Sequence, residues 1–266
     1  MKAAGLRNAI LLAVGTLTAV PVRPPSQVSR ATAGRAMLLA PLVALIPGAA
    51  AAGVLLAARL AGLDSLLGAA LAVAALALVT RALHLDGLAD TVDGLTAGYD
   101  AERALAVMRR GDVGPAGAVA ICLVVLVQTL ALAQACAGRW GPVCVVVAAV
   151  AGRSTLPFVC RRGVPAARPE GLGVLVAGSL SPAASAAGVA LAAVIAAALG
   201  QLTGWPPAAH WRIAGWALAA VGVAVLTGWL VQRRAVRRLG GITGDVLGAC
   251  VEAGTAAAAL VLAAAR

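Results

Sequence analysis

The sequence predicts an all-α fold: a polytopic integral membrane bundle of about seven transmembrane helices, preceded by an N-terminal interfacial helix. Three observations carry that prediction. The chain of 266 residues is 62% hydrophobic and only 12% charged, a balance typical of membrane proteins rather than of soluble domains. Seven apolar segments, at roughly 37–60, 65–83, 115–137, 141–160, 182–203, 211–232 and 245–265, approach the length that crosses a bilayer. Finally, 16 of the 21 Lys and Arg residues fall in alternate connectors.

The N-terminal element is the apolar stretch Ala9 to Val20, followed by Pro21, Pro24 and Pro25. Lys2 and Arg7 ahead of it imitate a signal peptide, but the chain continues as Val-Arg-Pro-Pro with no small-x-small cleavage site. The reading is a short helix lying in or dipping into the membrane interface. The spans that follow are rich in Ala and Gly, which lets helix backbones approach closely. The whole of 1–266 reads as one integral membrane domain, with 1–35 as its N-terminal segment and 84–114 as its longest connector.

Charge orients the bundle. Lys2, Arg7, Arg23, Arg30 and Arg35 precede the first span; Arg81, Arg103, Arg109 and Arg110 belong to the 84–114 connector. Arg161, Arg162 and Arg168 lie between the fourth and fifth spans, and Arg233, Arg234, Arg237 and Arg238 before the last. Arg59, Arg139, Arg212 and Arg266 fall on the opposite side, and Arg153 within a span. By the positive-inside rule the basic side is cytoplasmic. The net charge of +11 therefore reports topology, and with 3% aromatic residues there is no stacking platform for a nucleic-acid partner. Cys122, Cys136, Cys144, Cys160 and Cys250 sit in or beside apolar runs without a C-x-x-C pair, so they read as small hydrophobes. The outer connector at Gly204 to Trp211 carries Trp205 and Trp211, as an interfacial belt requires, with His210 as a bystander.

The chemistry concentrates in His84-Leu-Asp-Gly-Leu-Ala-Asp-Thr-Val-Asp-Gly94. Asp86, Asp90 and Asp93 are three of only ten acidic residues. On a helix, spacings of four and three align them in one stripe, where like charges repel. A hard cation such as Mg²⁺ reverses that effect. The functional reading is a Mg²⁺ site holding a phosphate-bearing substrate; the alternative is a solvated acidic loop. Beyond it, Asp100 to Arg110 reads as a short surface helix with Asp100 as N-cap.

A second group runs from Leu239 to Glu252. Gly240, Gly241 and Gly244 permit tight turns and close approach to a ligand. Asp245 opens the last span, where it is either a helix N-cap or a ligand. The amides of Thr243 to Val246 suit a phosphate oxygen. Glu252, seven residues on, is a carboxylate inside an apolar helix, where ionisable groups are costly and functional, and Arg153 is its natural counter-charge. Both groups face the basic side, so carboxylates, glycine turns and arginines are expected to converge there.

These residues resemble the cobalamin synthase family, the adenosylcobinamide-GDP ribazoletransferases. The His84–Gly94 run matches the family hallmark, and Gly240-Gly-Ile-Thr-Gly-Asp-Val-Leu-Gly-Ala249 continues the match with Glu252 in step. Gly34-Arg35 with Pro41-Leu42, Arg153, and Glu170-Gly-Leu-Gly173 are weaker echoes in the same order. One departure stands out: the family commonly has Asp-Ser-Arg after the methionine of the surface helix, whereas Met108 here precedes Arg109-Arg110-Gly111-Asp112.

The resemblance implies a transferase of late cobalamin assembly in the bacterial cytoplasmic membrane, its active site facing the cytoplasm. Its substrates would be adenosylcobinamide-GDP and α-ribazole or its 5′-phosphate, with GMP released. It implies Mg²⁺ on Asp86, Asp90 and Asp93, with Asp245 as a further ligand. Arg35, Arg109, Arg110 and Arg153 become phosphate contacts beside Gly241, Thr243, Gly244 and Glu252. His84 becomes a base or a hydrogen-bond donor to substrate, against the alternative of a helix-end histidine at the interface. Oligomeric state is left open. Two other Asp-motif membrane transferases compete. The CDP-alcohol phosphotransferase pattern Asp-Gly-x-x-Ala-Arg fails, because Asp90-Thr91 stands where Ala-Arg is required. A prenyltransferase would show an N-x-x-x-D form, which is missing. A transporter predicts internal repeats and broken helices near the midplane, whereas most acidic residues here gather at one face.

Overall fold

The structure, a computed structural model, describes residues 2–138, 140–201 and 207–265, without the side chains of residues 2, 3 and 207–210. Trp205, Arg139, Arg266 and the His210 side chain therefore lie outside the described residues. Among the described residues fourteen helices follow in chain order: α1 (Lys2–Leu17), α2 (Arg30–Leu38), α3 (Ala40–Val43), α4 (Leu45–Leu60), α5 (Ser65–Val79), α6 (Leu83–Thr96) and α7 (Ala101–Val107). Then come α8 (Pro115–Ala135), α9 (Gly141–Arg153), α10 (Thr155–Val159), α11 (Leu172–Val176), α12 (Pro182–Gln201), α13 (Pro207–Leu239) and α14 (Gly244–Ala263). Among the described residues there is no strand, only two isolated bridges. The protein is an all-α polytopic membrane bundle.

Polar caps mark the starts. Ser29 accepts from the Thr32 amide at α2, Asp64 from the Leu67 amide at α5, and Asp100 from the Glu102 and Arg103 amides at α7. Each cap satisfies donors that an isolated helix end leaves bare. α1 begins before the apolar stretch and ends at Leu17, and the hydroxyl of the next residue, Thr18, donates to the Val14 carbonyl. Its Ala9 and Ala13 are fully covered, so the helix packs on the bundle rather than floating at its edge.

Among the described residues six stretches are long and apolar enough to cross a membrane: Ala40–Leu60, Pro115–Ala135, Gly141–Val159, Pro182–Gln201, Trp211–Leu239 and Gly244–Ala263. The second expected span, 65–83, differs. It ends at Val79, and α5 passes as a span only jointly with α6, which leaves it at 87°. Arg81 and Ala82 cause the break, with φ of 54° and 53°. An L-residue in the left-handed region costs roughly 1–2 kcal/mol and cannot continue a right-handed helix. Beyond the break α6 packs against α14 and α8.

The connectors expected on the basic side do meet at one end. The Ala167 amide donates to Ile242 O and the Ile242 amide to Pro165 O, both at 3.0 Å. Arg168 donates to Leu105 O at 2.9 Å, and Arg238 donates to Gly98 O. Arg30 donates to Val174 O at 3.0 Å. At the far end Arg59 donates to the Cys136 and Gly138 carbonyls, and Gln134 to Ala263 O. The buried core divides likewise into two clusters, one toward each end. Leu78, Val119, Leu123, Leu126, Val194, Leu226 and Leu260 face outward, as a lipid-bathed surface allows.

Candidate active site

α6 and α14 cross with almost no space between their backbones. A Cβ on Gly87 would stand 2.7 Å from Asp245 O, and one on Gly248 3.0 Å from His84 O. Real Cβ atoms do not approach as closely as the first distance, so Gly87 needs glycine, and at Gly248 a side chain would force the backbones apart by a few tenths of an ångström. This crossing joins two motifs about 150 residues apart in sequence.

Beside the crossing opens a cavity of about 330 Å³. Leu17, Met37, Leu156 and Leu247 give it an apolar floor, and His84, Asp86, Arg168, Glu170, Thr243 and Asp245 its polar rim. His84 is 3% exposed, and neither ring nitrogen has a hydrogen-bond partner. A buried polar group without a partner costs about 1–3 kcal/mol, and this imidazole lines the cavity, where water or a ligand would relieve that cost.

The last span starts at a different residue from the one expected. Thr243 is the N-cap of α14, its hydroxyl accepting from the Val246 amide at 3.3 Å. Asp245 sits one position into the helix, where a carboxylate favours the positive end of the helix dipole. Its Oδ2 lies 3.0 Å from the Thr243 hydroxyl and 3.8 Å from Arg168 Nη1.

Asp86 is exposed and Asp90 half-buried on the next turn. The Asp90 carboxyl is pushed up to about 6, first by burial and then by the charges of Asp86, Asp245 and Asp93, with Arg168 opposing. The carboxylates of α6 and α14 are therefore near enough to feel one another. They do not form a closed cage: among the described residues no three His, Cys, Asp or Glu side chains converge on one point.

Asp93 belongs elsewhere. Its Oδ2 accepts from the Gly114 amide and its Oδ1 from the Gly117 amide, both at 2.8 Å. It is 8% exposed and caps α8, whose own N-cap, Gly114, has no side chain to offer. Periodicity put it in the stripe; its bonds to α8 make it a structural anchor. Arg153 and Glu252 do not reach the cavity either. They line a small internal space with Gln128 and Thr255, where Gln128 Nε2 donates to Glu252 Oε2 at 2.8 Å and Arg153 Nη1 to Ala149 O at 3.3 Å. Gly241 packs directly under the 165–167 backbone, outside the cavity. Arg35 is exposed and lies against Gly5. Arg109 is also exposed and pairs with Glu170 at 3.3 Å, on the cavity rim, while the exposed Arg110 does not line the cavity.

Arg168 lines the cavity and is the residue there that sequence reasoning did not single out. It entered only as a topological charge, although it stands two residues before the Glu170–Gly173 echo. Its Nη1 faces Asp245, and its Nε is buried without a partner.

Comparison with known proteins gives one answer. The family model described as cobalamin-5-phosphate synthase matches residues 9–263. The chain is 46% identical over 259 residues to the adenosylcobinamide-GDP ribazoletransferase of Nocardioides sp., covering 97% of this chain and 100% of that protein. It is 40% identical to the one from Frankia casuarinae, covering 93% and 91%, and 38% identical to the one from Pseudomonas paraeruginosa, covering 92% and 93%. No solved structure matches. With the model covering nearly the whole chain and both of its signature motifs meeting at one cavity, this chain belongs to the cobalamin-5-phosphate synthase family.

Proposed function

We propose that this chain transfers the adenosylcobinamide phosphoryl group of adenosylcobinamide-GDP to a hydroxyl of α-ribazole or of its 5′-phosphate, in the cavity at the α6–α14 crossing. The hydroxyl oxygen forms a bond to the phosphorus that carries adenosylcobinamide. The bond from that phosphorus to the bridging oxygen breaks, and GMP leaves with the electron pair. Charge neutralisation and positioning carry such a reaction. The observation that carries the reading is the meeting of His84 and Asp86 with Thr243 and Asp245 around one cavity.

The residues suit Mg²⁺. This ion binds through one or two carboxylates plus substrate phosphates and water rather than a dedicated protein cage. Asp86 and Asp245 on the rim, with Asp90 behind them, are such a donor set, and it would neutralise the diphosphate when bound. Arg168 holds a phosphate oxygen from the other side. The first-turn amides of α14 face the same charge. His84, with both ring nitrogens unengaged, takes the proton of the attacking hydroxyl. A cavity of about 330 Å³ is at the low end of the roughly 300–1,000 Å³ of ligand pockets. It admits the diphosphate and one nucleoside, and the corrin ring stays outside.

The reaction belongs on the cytoplasmic face of the bacterial membrane. The support is the concentration of basic residues at the end that holds the cavity, read by the positive-inside rule. The test uses protein purified in detergent with adenosylcobinamide-GDP and either acceptor, following GMP and the cobalamin product. Turnover should stop with chelator and return with Mg²⁺. Absence of GMP release with both acceptors would overturn the reading.

A further inference from the structure

A second concave surface at the basic end shares no lining residue with the active-site cavity. It lies between the 161–165 loop and the last turns of α13, and its volume is about 410 Å³. Arg161, Arg162, Arg233 and Arg237 line it, and no acidic side chain does. Two of the arginines are fixed in place. Arg161 donates to Gln232 Oε1 at 2.8 Å and lies 4.1 Å above the Phe158 ring, while Arg233 lies 5.2 Å above Trp229. Gln232, which holds Arg161, is itself 5% exposed. Arg162 and Arg237 are exposed. Four cations gathered around one hollow without a carboxylate present a positive field that attracts an anion.

This pocket has a tail. From Trp229 an apolar trough of about 380 Å³ continues along α13 toward the middle of the bundle, lined by Phe158, Gly222, Val225 and Leu226. Trp229 belongs to both hollows. At Gly222 nothing lies within 4 Å of where a Cβ would stand, so the trough is open there. A basic recess at the end of a membrane bundle, a tryptophan at its lower edge and an apolar trough below match a headgroup phosphate, its interfacial region and an acyl chain in order. A free phosphate or a nucleotide would satisfy the arginines and leave the trough unused.

We propose that this surface is a binding site for one anionic glycerophospholipid, with its phosphate among Arg161, Arg162, Arg233 and Arg237 and an acyl chain along Val225 and Leu226. The proposal is independent of the transfer reaction, because its test reads lipid retention and not turnover. Protein purified in detergent is mixed with phosphatidylglycerol or phosphatidylcholine of identical acyl chains, and native mass spectrometry counts the lipids retained. Phosphatidylglycerol should be retained about tenfold better. The double variant Arg162→Gln/Arg237→Gln should lower its retention about tenfold, to the phosphatidylcholine level. Gly222→Phe, which fills the trough and leaves every arginine in place, should lower it as well. Melting curves in lipid-free detergent show whether each variant folds; if one does not, the other decides. Excess sn-glycerol 3-phosphate or GDP should leave the lipid bound. Equal retention of the two lipids, unchanged retention in the folded variants, or displacement by the soluble phosphates would each overturn the proposal, the last reducing the surface to a simple anion site.

Discussion

The two halves of α6 carry the same residue type and put it to opposite use. In the first half, His84 and Asp86 line the cavity, the imidazole without a protein partner and the carboxylate exposed. In the second, Asp93 is buried, with each of its oxygens on a backbone amide of α8. Seven residues separate a carboxylate kept available from one fully engaged. The comparison teaches that a motif dense in acidic residues is not one ligand set. Its first turns line the cavity, and its last turns fasten the helix to the bundle.

The strongest break between the halves comes from Asp86→Asn. Removing a charge that compensates a phosphoryl transfer should cost several kcal/mol of transition-state stabilisation, or about 10²–10³-fold in kcat/KM. The melting temperature should hold, because Asp86 is exposed. Steady-state kinetics beside a melting curve check both; near-normal turnover would remove Asp86 from the site. His84→Gln comes next. Loss of a general base typically costs about 10²-fold or more, and kcat should fall more than KM rises. A variant that merely melted early would return His84 to the packing.

Asp93→Ala should show the reverse. Two charge-assisted bonds to buried amides are lost, so stability should fall by about 2–3 kcal/mol. Turnover per folded molecule should stay within a few-fold of the parent below the melting transition. Unfolding in detergent, paired with activity at low temperature, separates the two effects. A fully stable, inactive Asp93→Ala would move Asp93 into the chemical half.

Asp90, between the halves, gives the smallest effect. Its carboxyl is pushed up from 3.8 to about 6, so between those values the folded chain holds a proton that the unfolded chain releases. Stability in chelator should therefore fall as pH rises from about 4 to about 6 and level off above. Asp90→Asn should flatten that slope, as should Mg²⁺. Identical melting profiles for parent and variant across the window would show that Asp90 does not feel its neighbours.

Much of this was legible in the chain. Apolar length alone located six of the seven spans, because backbone satisfaction in lipid leaves few other solutions. The alternation of arginines grouped the right connectors at one end. The meeting of the Asp86 and Asp245 segments followed from that grouping. What stayed hidden was tertiary. Arg81 and Ala82 carry no glycine or proline signal for the turn they make, so the second span looked longer than it is. Asp93 finds its partners 21 and 24 residues away, on a helix whose start announces only Gly114 and Pro115. Thr243 took the cap that Asp245 seemed to fill. Arg153 and Glu252 stood out as charges in apolar surroundings, but sequence spacing could not show that they turn toward Gln128 rather than the cavity.

The short second span has a consequence for the membrane itself. At 1.5 Å per residue, the 15 residues of α5 reach only about 22 Å, against a hydrocarbon layer of about 30 Å. Leu66, Leu71 and Leu78 on this helix face outward, so lipid meets the mismatch directly. A short span is met by thinning of the bilayer, by snorkelling flanking residues or by association of helices. α5 and α6 reach spanning length only as one bent segment, so the distance that α5 leaves short falls to the helix that carries His84 and Asp86.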